Sequence, residues 1–194
     1  MTLLGNLKRG LVFIISAPAG TGKTTLVNML TQEFSCVVAS VSYTTRPPRP
    51  GEINGVHYHF LNEEEFLDRI EKGEFLEYVK LYDHYYGTSK LWLEEQLARG
   101  KHVILVIDTQ GAKQLKGKLA AISIFICPPS IKELEQRLVR RKTEAAEDIE
   151  RRLKWALDEI EAQTFYDYRI LNEDLSTAYQ ILRSILIAEE HRVR

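Results

Sequence analysis

The sequence has few cysteines, no excess of charge of either sign and no long apolar run, and each shortage excludes a class of protein. Two cysteines among 194 residues are too few for a disulfide-stapled scaffold. Cys36 and Cys127 lie among apolar neighbours without metal-ligand spacing, which predicts buried free thiols in a reducing compartment. The formal net charge of −1 at pH 7 argues against a dedicated nucleic-acid-binding protein.

The apolar stretches are also short. The run 103–107 is far below the ~20 residues of a membrane span. Lys8, Arg9 and Gly10 interrupt the N-terminus before another short apolar run, which is not the layout of a signal peptide. With 44% hydrophobic and 27% charged residues, the composition is that of a globular domain. We therefore expect a cytoplasmic protein that binds neither membranes nor nucleic acid and holds phosphate only at local sites.

Three runs of apolar, largely β-branched residues predict strands of a parallel sheet, at 11–15, 103–107 and 122–127. Because the runs are continuous rather than alternating, we expect both faces of each strand to be covered. Predicted helices follow at 23–34, at 89–99 with Gly100 as terminator, and from Ser130, whose capping box is completed by Glu133. Alternating strands and helices give an α/β fold, here a P-loop parallel sheet flanked by helices.

Two regions depart from this alternation. Residues 42–88 are rich in proline, glycine and tyrosine, and alternation over 56–60 predicts short antiparallel strands, so we expect a small mixed α/β insertion with its own sheet. Residues 137–152 carry many arginines and glutamates around a polar stretch, which indicates a mobile helical lid. The predicted division is a core of residues 1–41, 89–136 and 153–194, a nucleotide-binding insertion of residues 42–88, and a lid of residues 137–152.

A phosphate-binding loop follows the first predicted strand and precedes a helix. Gly20 and Gly22 allow the backbone to approach phosphate closely, Lys23 adds a positive charge, and Thr24 can offer its hydroxyl to Mg²⁺. Ala17 replaces the first glycine of the pattern G-x-x-x-x-G-K-[ST]. The alternative, an ordinary glycine-rich turn, is disfavoured by the flanking strand and helix. The predicted ATP-binding residues here are Ala17, Pro18, Ala19, Gly20, Thr21, Gly22, Lys23, Thr24 and Thr25.

A second candidate site lies in the proline-rich segment 42–52. The prolines forbid a helix and keep Arg46 and Arg49 on a stiff extended loop. Two guanidinium groups fixed in this way suit a bidentate clamp on a phosphate or a carboxylate. Taken alone, the pattern fits a solvated basic loop better, because most surface charges contribute little beyond solubility.

A carboxylate among aromatic residues forms the third candidate. Glu77 lies near Tyr58, Tyr85 and Tyr86 in the insertion, and its two oxygens could accept hydrogen bonds from N1–H and the N2 amino group of guanine. Adenine lacks this donor–donor edge. The alternative is a surface glutamate at a helix end beside core tyrosines, and without the other motifs this alternative is the better interpretation.

Taken together, these segments resemble the guanylate kinases over nearly the whole chain. The block 42–52, followed by Asn54-Gly55, is very specific for that family. The resemblance implies transfer of the γ-phosphoryl group of ATP to GMP, giving GDP and ADP, within the recycling of GMP and dGMP. The other matching stretches are the phosphate-binding loop, 75–78, 85–88, 107–111, 128–130 and 170–174.

The resemblance also implies roles for individual residues. Arg137 and Arg141 lie four residues apart, on one helical face, as arginines of a lid over ATP would. Asn172 matches an adenine contact. Guanine would be read by Ser42, Glu77, Thr88 and Asp108, and the GMP phosphate would be held by Arg46, Arg49, Tyr58 and Tyr86. The implied catalytic residues are Lys23, Arg46, Arg141 and Arg152, with Mg²⁺ as cofactor and Thr24 as its protein ligand.

Two positions depart from the family pattern. Val106 stands where the family has an aspartate near Mg²⁺, and Lys142 stands where it has a glycine in the lid. Two alternatives to the enzyme are a guanylate-kinase-like protein-binding module and a kinase for another nucleobase. The intact Gly22-Lys23-Thr24 argues against the first, and Glu77 with Ser42 argues against adenine. We expect small-molecule substrates and a monomer or homodimer.

Overall fold

The computed structural model describes residues 2–81, 83–140 and 146–193, with side chains described outside 140 and 146–152. Its strands are β1 (Val12–Ser16), β2 (Val37–Ala39), β3 (Tyr43–Thr44), β4 (His59–Phe60), β5 (Phe75–Leu81), β6 (His84–Ser89), β7 (His102–Val106), β8 (Ala121–Cys127) and β9 (Tyr168–Leu171). Its α-helices are α1 (Lys23–Glu33), α2 (Glu63–Glu71), α3 (Lys90–Ala98), α4 (Thr109–Leu115), α5 (Ile131–Arg140), α6 (Ala146–Glu161) and α7 (Leu175–Glu190), and a 3₁₀ helix spans Ala162–Phe165.

The main sheet is parallel throughout and has the order β2-β7-β1-β8-β9. Its three central strands are the three predicted from apolar runs, and they are covered on both faces as expected. Phe13 and Ile15 of β1 face a core that includes α1 and α7, whereas Val12 and Ile14 face one that includes α3 and α4. The fold therefore confirms the predicted α/β class, and it brings the loops after β1 and β7 to the same edge of the sheet.

The helix ends follow the predicted capping residues closely. Helix α3 begins after Ser89, whose hydroxyl accepts from the backbone N of Trp92, and Gly100 beyond its end has a φ of 74°. Ser130 Oγ accepts from the backbone N of Glu133 at 3.1 Å, which is half of the predicted capping box. The carboxylate of Glu133 instead accepts from Arg137 Nε at 3.1 Å.

The strands of the predicted insertion form a separate four-stranded sheet of order β4-β3-β6-β5, and a separate small sheet was expected there. The prediction of antiparallel strands over 56–60 is wrong in detail, because β4 contains only His59–Phe60 and pairs with β3 in parallel. Val56 and His57 lie instead in a turn, in which their backbone N–H groups donate to the carbonyl of Ile53 at 3.2 and 3.0 Å. The alternation of apolar and polar residues in this exposed turn is the same sequence pattern that a half-buried strand shows, which explains the wrong prediction.

The remaining predictions on organisation meet the structure only in part. The predicted lid, 137–152, begins inside α5 and ends inside α6, and residues 141–145 between them lie outside the described residues. Its role as a lid, and the division into core and insertion, stay predictions. Cys127 is a buried free thiol as expected, while Cys36 is free but only half-buried. None of the described helices is long and apolar enough to cross a membrane.

Candidate active site

The loop between β1 and α1 adopts backbone conformations that favour glycine at two positions. Gly20 and Gly22 have φ values of 89° and 94°. A side chain at Gly22 would also collide with Asn172, since its Cβ would lie 2.6 Å from Asn172 Nδ2. Gly22 is the N-cap of α1 and offers no side-chain cap. The first N–H groups of this helix are thus left without a capping side chain, and such a terminus attracts anions.

Lys23 is held at the start of this helix with its ammonium over the loop. Its Nζ donates to the carbonyl of Ala17 at 3.3 Å. Burial lowers the pKa of the Lys23 ammonium, and the nearby charges of Glu159 and Asp108 partly oppose that shift. Ala17 itself is 3% exposed and packs in the core that includes α1 and α7. Its methyl group therefore fills core space, which accounts for alanine at the position of the pattern's first glycine.

Of the residues predicted on the ATP side, Asn172 contacts this loop and Arg137 contacts Asn172. Asn172 is buried and donates from Nδ2 to the carbonyl of Thr21 at 2.6 Å. Arg137 Nη1 donates to the carbonyl of Asn172 at 3.3 Å. Asn172 therefore braces the phosphate-binding loop, a contact that its predicted adenine role does not include. Thr24 and Thr25 are exposed in the first turn of α1.

Three of the four residues predicted to hold the acceptor phosphate, Arg46, Tyr58 and Tyr86, lie close together. Arg46 Nη2 donates to both carboxylate oxygens of Glu52, at 2.8 and 2.9 Å, and the Arg46 side chain is only 11% exposed. Its guanidinium carbon lies 5.3 Å from the centre of the Tyr58 ring, which in turn lies 6.1 Å from the ring of Tyr86. Arg49 is exposed. The solvated-loop alternative is therefore wrong for Arg46.

The guanine-reading candidates converge from both sheets. Glu77 is 4% exposed and accepts from Thr88 Oγ1 at 2.6 Å, so the surface-glutamate alternative is wrong. A Cβ on Gly111 would lie 2.7 Å from Glu77 Oε2 and 3.3 Å from Asp108 Oδ1, which places both carboxylates beside this glycine. Ser42 directly precedes Tyr43, the partner of Gly87 in β6, and so lies level with Thr88.

The two oxygens of Asp108 have different surroundings. Asp108 is the N-cap of α4, and its Oδ1 accepts from the backbone N of Gly111 at 2.8 Å. Its Oδ2 is buried and has no hydrogen-bond partner within the described part of the chain. A buried acceptor without a partner is costly, so a site with this feature suits a ligand that brings a donor.

Burial dominates the electrostatics of this pocket. It raises the pKa of Glu77 to about 7, with the negative charge of Asp108 adding to the shift and the hydrogen bond from Thr88 opposing it. Burial also raises the pKa of Asp108 above its usual range. Glu159 behaves similarly, with a pKa of about 7 that burial raises and Lys23 lowers. Such shifts cluster at functional sites.

Sequence reasoning missed three residues that the structure places here. Gly111 leaves room for the paired carboxylates, Glu52 holds Arg46, and Glu159 on α6 is 7% exposed and interacts electrostatically with Lys23. A signal existed for Glu159, because it lies three residues after the buried Ala156 and therefore on the inward face of its helix.

Four other predicted positions stand apart. Arg141 lies outside the described residues, as do Lys142 and the side chain of Arg152, so their predicted places in the lid stay predictions. Val106 is half-buried and packs against the core that includes α1 and α7. The valine therefore contributes to packing of the main sheet.

A parallel sheet with a glycine-and-lysine loop after its first strand, beside a second sheet that carries the buried carboxylate of Glu77, is typical of a P-loop kinase acting on a small phosphorylated acceptor. Residues 9–189 match the family model described as "Guanylate kinase". The guanylate kinase of Protochlamydia amoebophila is 61% identical over 193 residues, covering 100% of this chain and 98% of the relative. That of Chlamydia muridarum is 53% identical over 183 residues, covering 94% and 89%.

A solved structure agrees with these sequence matches. The crystal structure of guanylate kinase from Anaplasma phagocytophilum superposes with a TM-score of 0.80 at 35% identity, covering 95% of this chain and 88% of that one. This chain belongs to the guanylate kinase family. It is accordingly a nucleoside-monophosphate kinase that phosphorylates GMP with ATP, which confirms the activity expected from the sequence.

Proposed function

We propose that base selection in this kinase rests on the buried carboxylate pair of Glu77 and Asp108. The unpartnered Asp108 Oδ2 is the observation that carries this assignment, since a buried acceptor needs a donor from the ligand. Guanine offers N1–H and its N2 amino group on one edge, and two carboxylates can accept both. Thr88 orients Glu77 by donating a hydrogen bond to Oε1 of its carboxylate, which leaves Oε2 for the base. Ser42, level with Thr88, completes the reading group.

The acceptor phosphate would be held by Arg46, Arg49, Tyr58 and Tyr86. Arg46 already stands against the ring of Tyr58, and this ring packs edge-on against Tyr86. A guanidinium with spare N–H groups and two phenol hydroxyls gives charge-assisted hydrogen bonds to a phosphate. Arg46 would also neutralise charge on the transferred group.

The donor phosphates would lie on the loop from Ala17 to Thr25. Lys23 supplies a desolvated positive charge, and the uncapped start of α1 supplies N–H groups. Arg137, Arg141 and Arg152 would close over ATP, with Asn172 near adenine. Catalysis is then positioning and charge stabilisation without a general base, because the monophosphate is itself the nucleophile.

Magnesium fits the residues present. In the described part of the chain no cluster of three or more His, Cys, Asp or Glu side chains could hold a metal ion. Thr24, an exposed residue next to Lys23, offers one hydroxyl oxygen of the kind Mg²⁺ takes, and substrate phosphates and water would complete the shell of the ion. When bound, Mg²⁺ neutralises phosphate charge during transfer. Thr24 would be its protein ligand.

The wider setting follows from the same chemistry. Two unpaired cysteines suit a reducing compartment, which supports a cytoplasmic location. The activity would serve recycling of GMP and dGMP in purine metabolism, in a monomer or homodimer. In this assignment the core carries ATP, the insertion 42–88 carries GMP and the segment 137–152 is the lid.

A coupled assay of ADP release tests the base assignment. Purified protein with Mg²⁺ and ATP is offered GMP, AMP, UMP and CMP in turn, and we expect GMP to exceed the others in kcat/KM by at least ~10²-fold. For Asp108→Ala the ratio of kcat/KM for GMP to kcat/KM for the other nucleotides should fall, because one hydrogen-bond acceptor for guanine is lost. Equal use of AMP and GMP by the wild-type protein would contradict the assignment, as would an unchanged ratio in the variant.

A further inference from the structure

The segment Arg49-Pro50-Gly51-Glu52 forms a tight turn that returns the chain toward Arg46. The backbone N of Glu52 donates to the carbonyl of Arg49 at 3.0 Å, and Gly51 has a φ of 85°. Proline at the second position and glycine with positive φ at the third are the residues that a type II turn requires. The turn therefore fixes the backbone position from which the Glu52 side chain extends toward Arg46.

From that turn the Glu52 carboxylate makes two attachments. It accepts from Arg46 Nη2 through both oxygens, at 2.8 and 2.9 Å, and from the backbone N of Arg49 at 2.7 Å. The side chain is 17% exposed. Burial alone would raise the pKa of Glu52, but the hydrogen bonds from Arg49 and Arg46 lower it, so the group is ionised at neutral pH. One carboxylate thus joins the backbone of one arginine to the side chain of the other.

These contacts leave part of Arg46 free for a ligand. Its Nη2 hydrogens point to Glu52, and one Nη1 hydrogen goes to the carbonyl of Pro47 at 2.7 Å. Of five guanidinium hydrogens, Nε–H and one on Nη1 therefore take no hydrogen bond within the described residues. The face of the group lies against the rings of Tyr58 and Phe60, at 5.3 and 5.9 Å from their centres. Arg46 is fixed on three sides while two donors stay available.

We propose that Glu52 is a positioning residue for the acceptor phosphate: it fixes the guanidinium of Arg46 and the backbone of Arg49 in the geometry that a phosphate needs. This inference rests on the proposed role of these arginines as the phosphate clamp. Glu52 itself does not touch the substrate. By holding an arginine with many rotamers before the ligand arrives, it spares the binding step the cost of ordering that side chain.

A different role for the same contacts would have the opposite consequence. If Glu52 were a stand-in anion that phosphate must displace, removing its charge would tighten binding of GMP. A positioning carboxylate predicts that binding of GMP weakens and that binding of guanosine, which lacks the phosphate, stays the same. The two ligands therefore separate these roles and also separate the clamp from the base pocket.

The test compares Glu52→Gln and Glu52→Ala with wild type by calorimetric titration of GMP and of guanosine in the absence of ATP. We expect GMP to bind about tenfold more weakly or worse to both variants, and guanosine to bind within twofold of wild type. In steady state the KM for GMP should rise while the KM for ATP stays unchanged. Glu74→Gln is the matched control, since Glu74 makes an exposed ion pair with Arg69 in the same insertion. This variant should bind GMP and guanosine as tightly as wild type does.

Gly51→Ala provides a second route that leaves Glu52 in place. A Cβ at this position meets nothing within 4 Å, so the substitution acts only by straining the positive φ. Gly51→Ala should weaken the binding of GMP by less than Glu52→Ala does, and it should leave the binding of guanosine unchanged. Tighter or unchanged GMP binding in Glu52→Gln would overturn the proposal, and so would equal losses for GMP and guanosine. Failure of wild type to prefer GMP over guanosine would instead contradict the phosphate clamp itself.

Discussion

At the scale of single residues, Glu77 carries the clearest dependence on pH. Burial raises its pKa to about 7, and in the proposed site the ionised carboxylate accepts from guanine through the oxygen that Thr88 does not occupy. Protonation as the pH falls below about 7 should therefore oppose binding. We expect the affinity for guanosine to drop about tenfold between pH 8 and pH 6, the drop that a single group with this pKa produces. Guanosine is the proper ligand, because the phosphate of GMP titrates near pH ~6 itself.

The same burial predicts a conflict between stability and function at Glu77. A folded-state pKa above the unfolded value means that Glu77 destabilises the apo protein by an amount that sets in as the pH rises above ~4.3, is complete above pH ~7, and disappears below ~4.3. Glu77→Gln should thus raise Tm by a few degrees at pH 8 and by less at pH 5, while GMP use falls ~10²-fold or more. Thermal scans at both pH values and kcat/KM for GMP check the two halves. A variant that is less stable at pH 8 than wild type would contradict the burial argument.

Lys23 is the corresponding residue on the ATP side. Lys23→Met removes a fixed, desolvated charge from the phosphate-binding loop, and we expect kcat to fall ~10³-fold or more. The circular-dichroism spectrum should be unchanged, because among the described residues the lysine side chain makes one hydrogen bond, to the carbonyl of Ala17. A variant that retains a tenth of the wild-type rate would show that the loop does not hold the transferred phosphate.

At the scale of elements, the first turn of α4 requires glycine at position 111, where a helix would normally favour alanine. Alanine is normally better than glycine inside a helix by about 1 kcal/mol. At Gly111, however, a methyl group would lie 2.7 Å from Glu77 Oε2 and 3.3 Å from Asp108 Oδ1. We expect Gly111→Ala to displace the Glu77 carboxylate and raise the KM for GMP at least tenfold, with the KM for ATP unchanged. Kinetics with each substrate varied in turn measure this, and an equal rise in both values would locate the damage elsewhere.

Elements with strong local signals could be predicted, and those set by distant contacts could not. Strands β1, β7 and β8 are continuous apolar runs because both faces are covered, so their sequence alone marks them. The edge strand β9 has half-buried and exposed residues around one buried isoleucine, and its pairing with β8 is not visible in sequence. The phosphate-binding loop was predictable because its residues are contiguous. The meeting of Glu77, Asp108 and Gly111 depends on two sheets, and spacing carries no information about it.

At the scale of the whole molecule, one buried carboxylate ties the two ends of the chain together. Glu190 at the end of α7 accepts from the backbone N–H groups of Gly5 and Asn6, at 2.7 and 2.9 Å, and from His102 Nε2 at 2.5 Å. His102 Nδ1 accepts from the backbone N of Leu11 at 3.1 Å, which places the ring proton on Nε2. The side chains of His102 and Glu190 are 0% and 1% exposed.

Breaking this network should destabilise the whole fold. In Glu190→Gln an amide NH₂ would face N–H donors that the carboxylate now satisfies, and we expect a loss of about 2–4 kcal/mol in the free energy of unfolding. Urea unfolding at pH 7 measures it, and Glu94→Gln, which alters an exposed ion pair with Arg9, should change stability by less than ~1 kcal/mol.

The pH dependence of this network has a definite sign. Burial alone would raise the pKa of Glu190, but the hydrogen bonds from Asn6, Gly5 and His102 lower it to about 2. A depressed pKa means that its contribution is complete above the unfolded value of ~4.3 and is lost as the pH falls toward 2. The stability difference between wild type and Glu190→Gln should therefore narrow between pH 5 and pH 2. A constant difference across that range would show that the charge is not what matters.

Asp108 has a consequence for the evolvability of substrate choice. Its Oδ1 caps α4, while its Oδ2 takes no hydrogen bond from the described residues, so one oxygen stabilises the helix and the other would recognise the base in the proposed site. Asparagine caps helices about as well as aspartate, and it would present an amide hydrogen where the carboxylate presents an acceptor. A single nucleotide change in the codon of this residue can therefore explore a different nucleobase without first losing the helix, which makes the position one where new specificity can arise at little risk to folding.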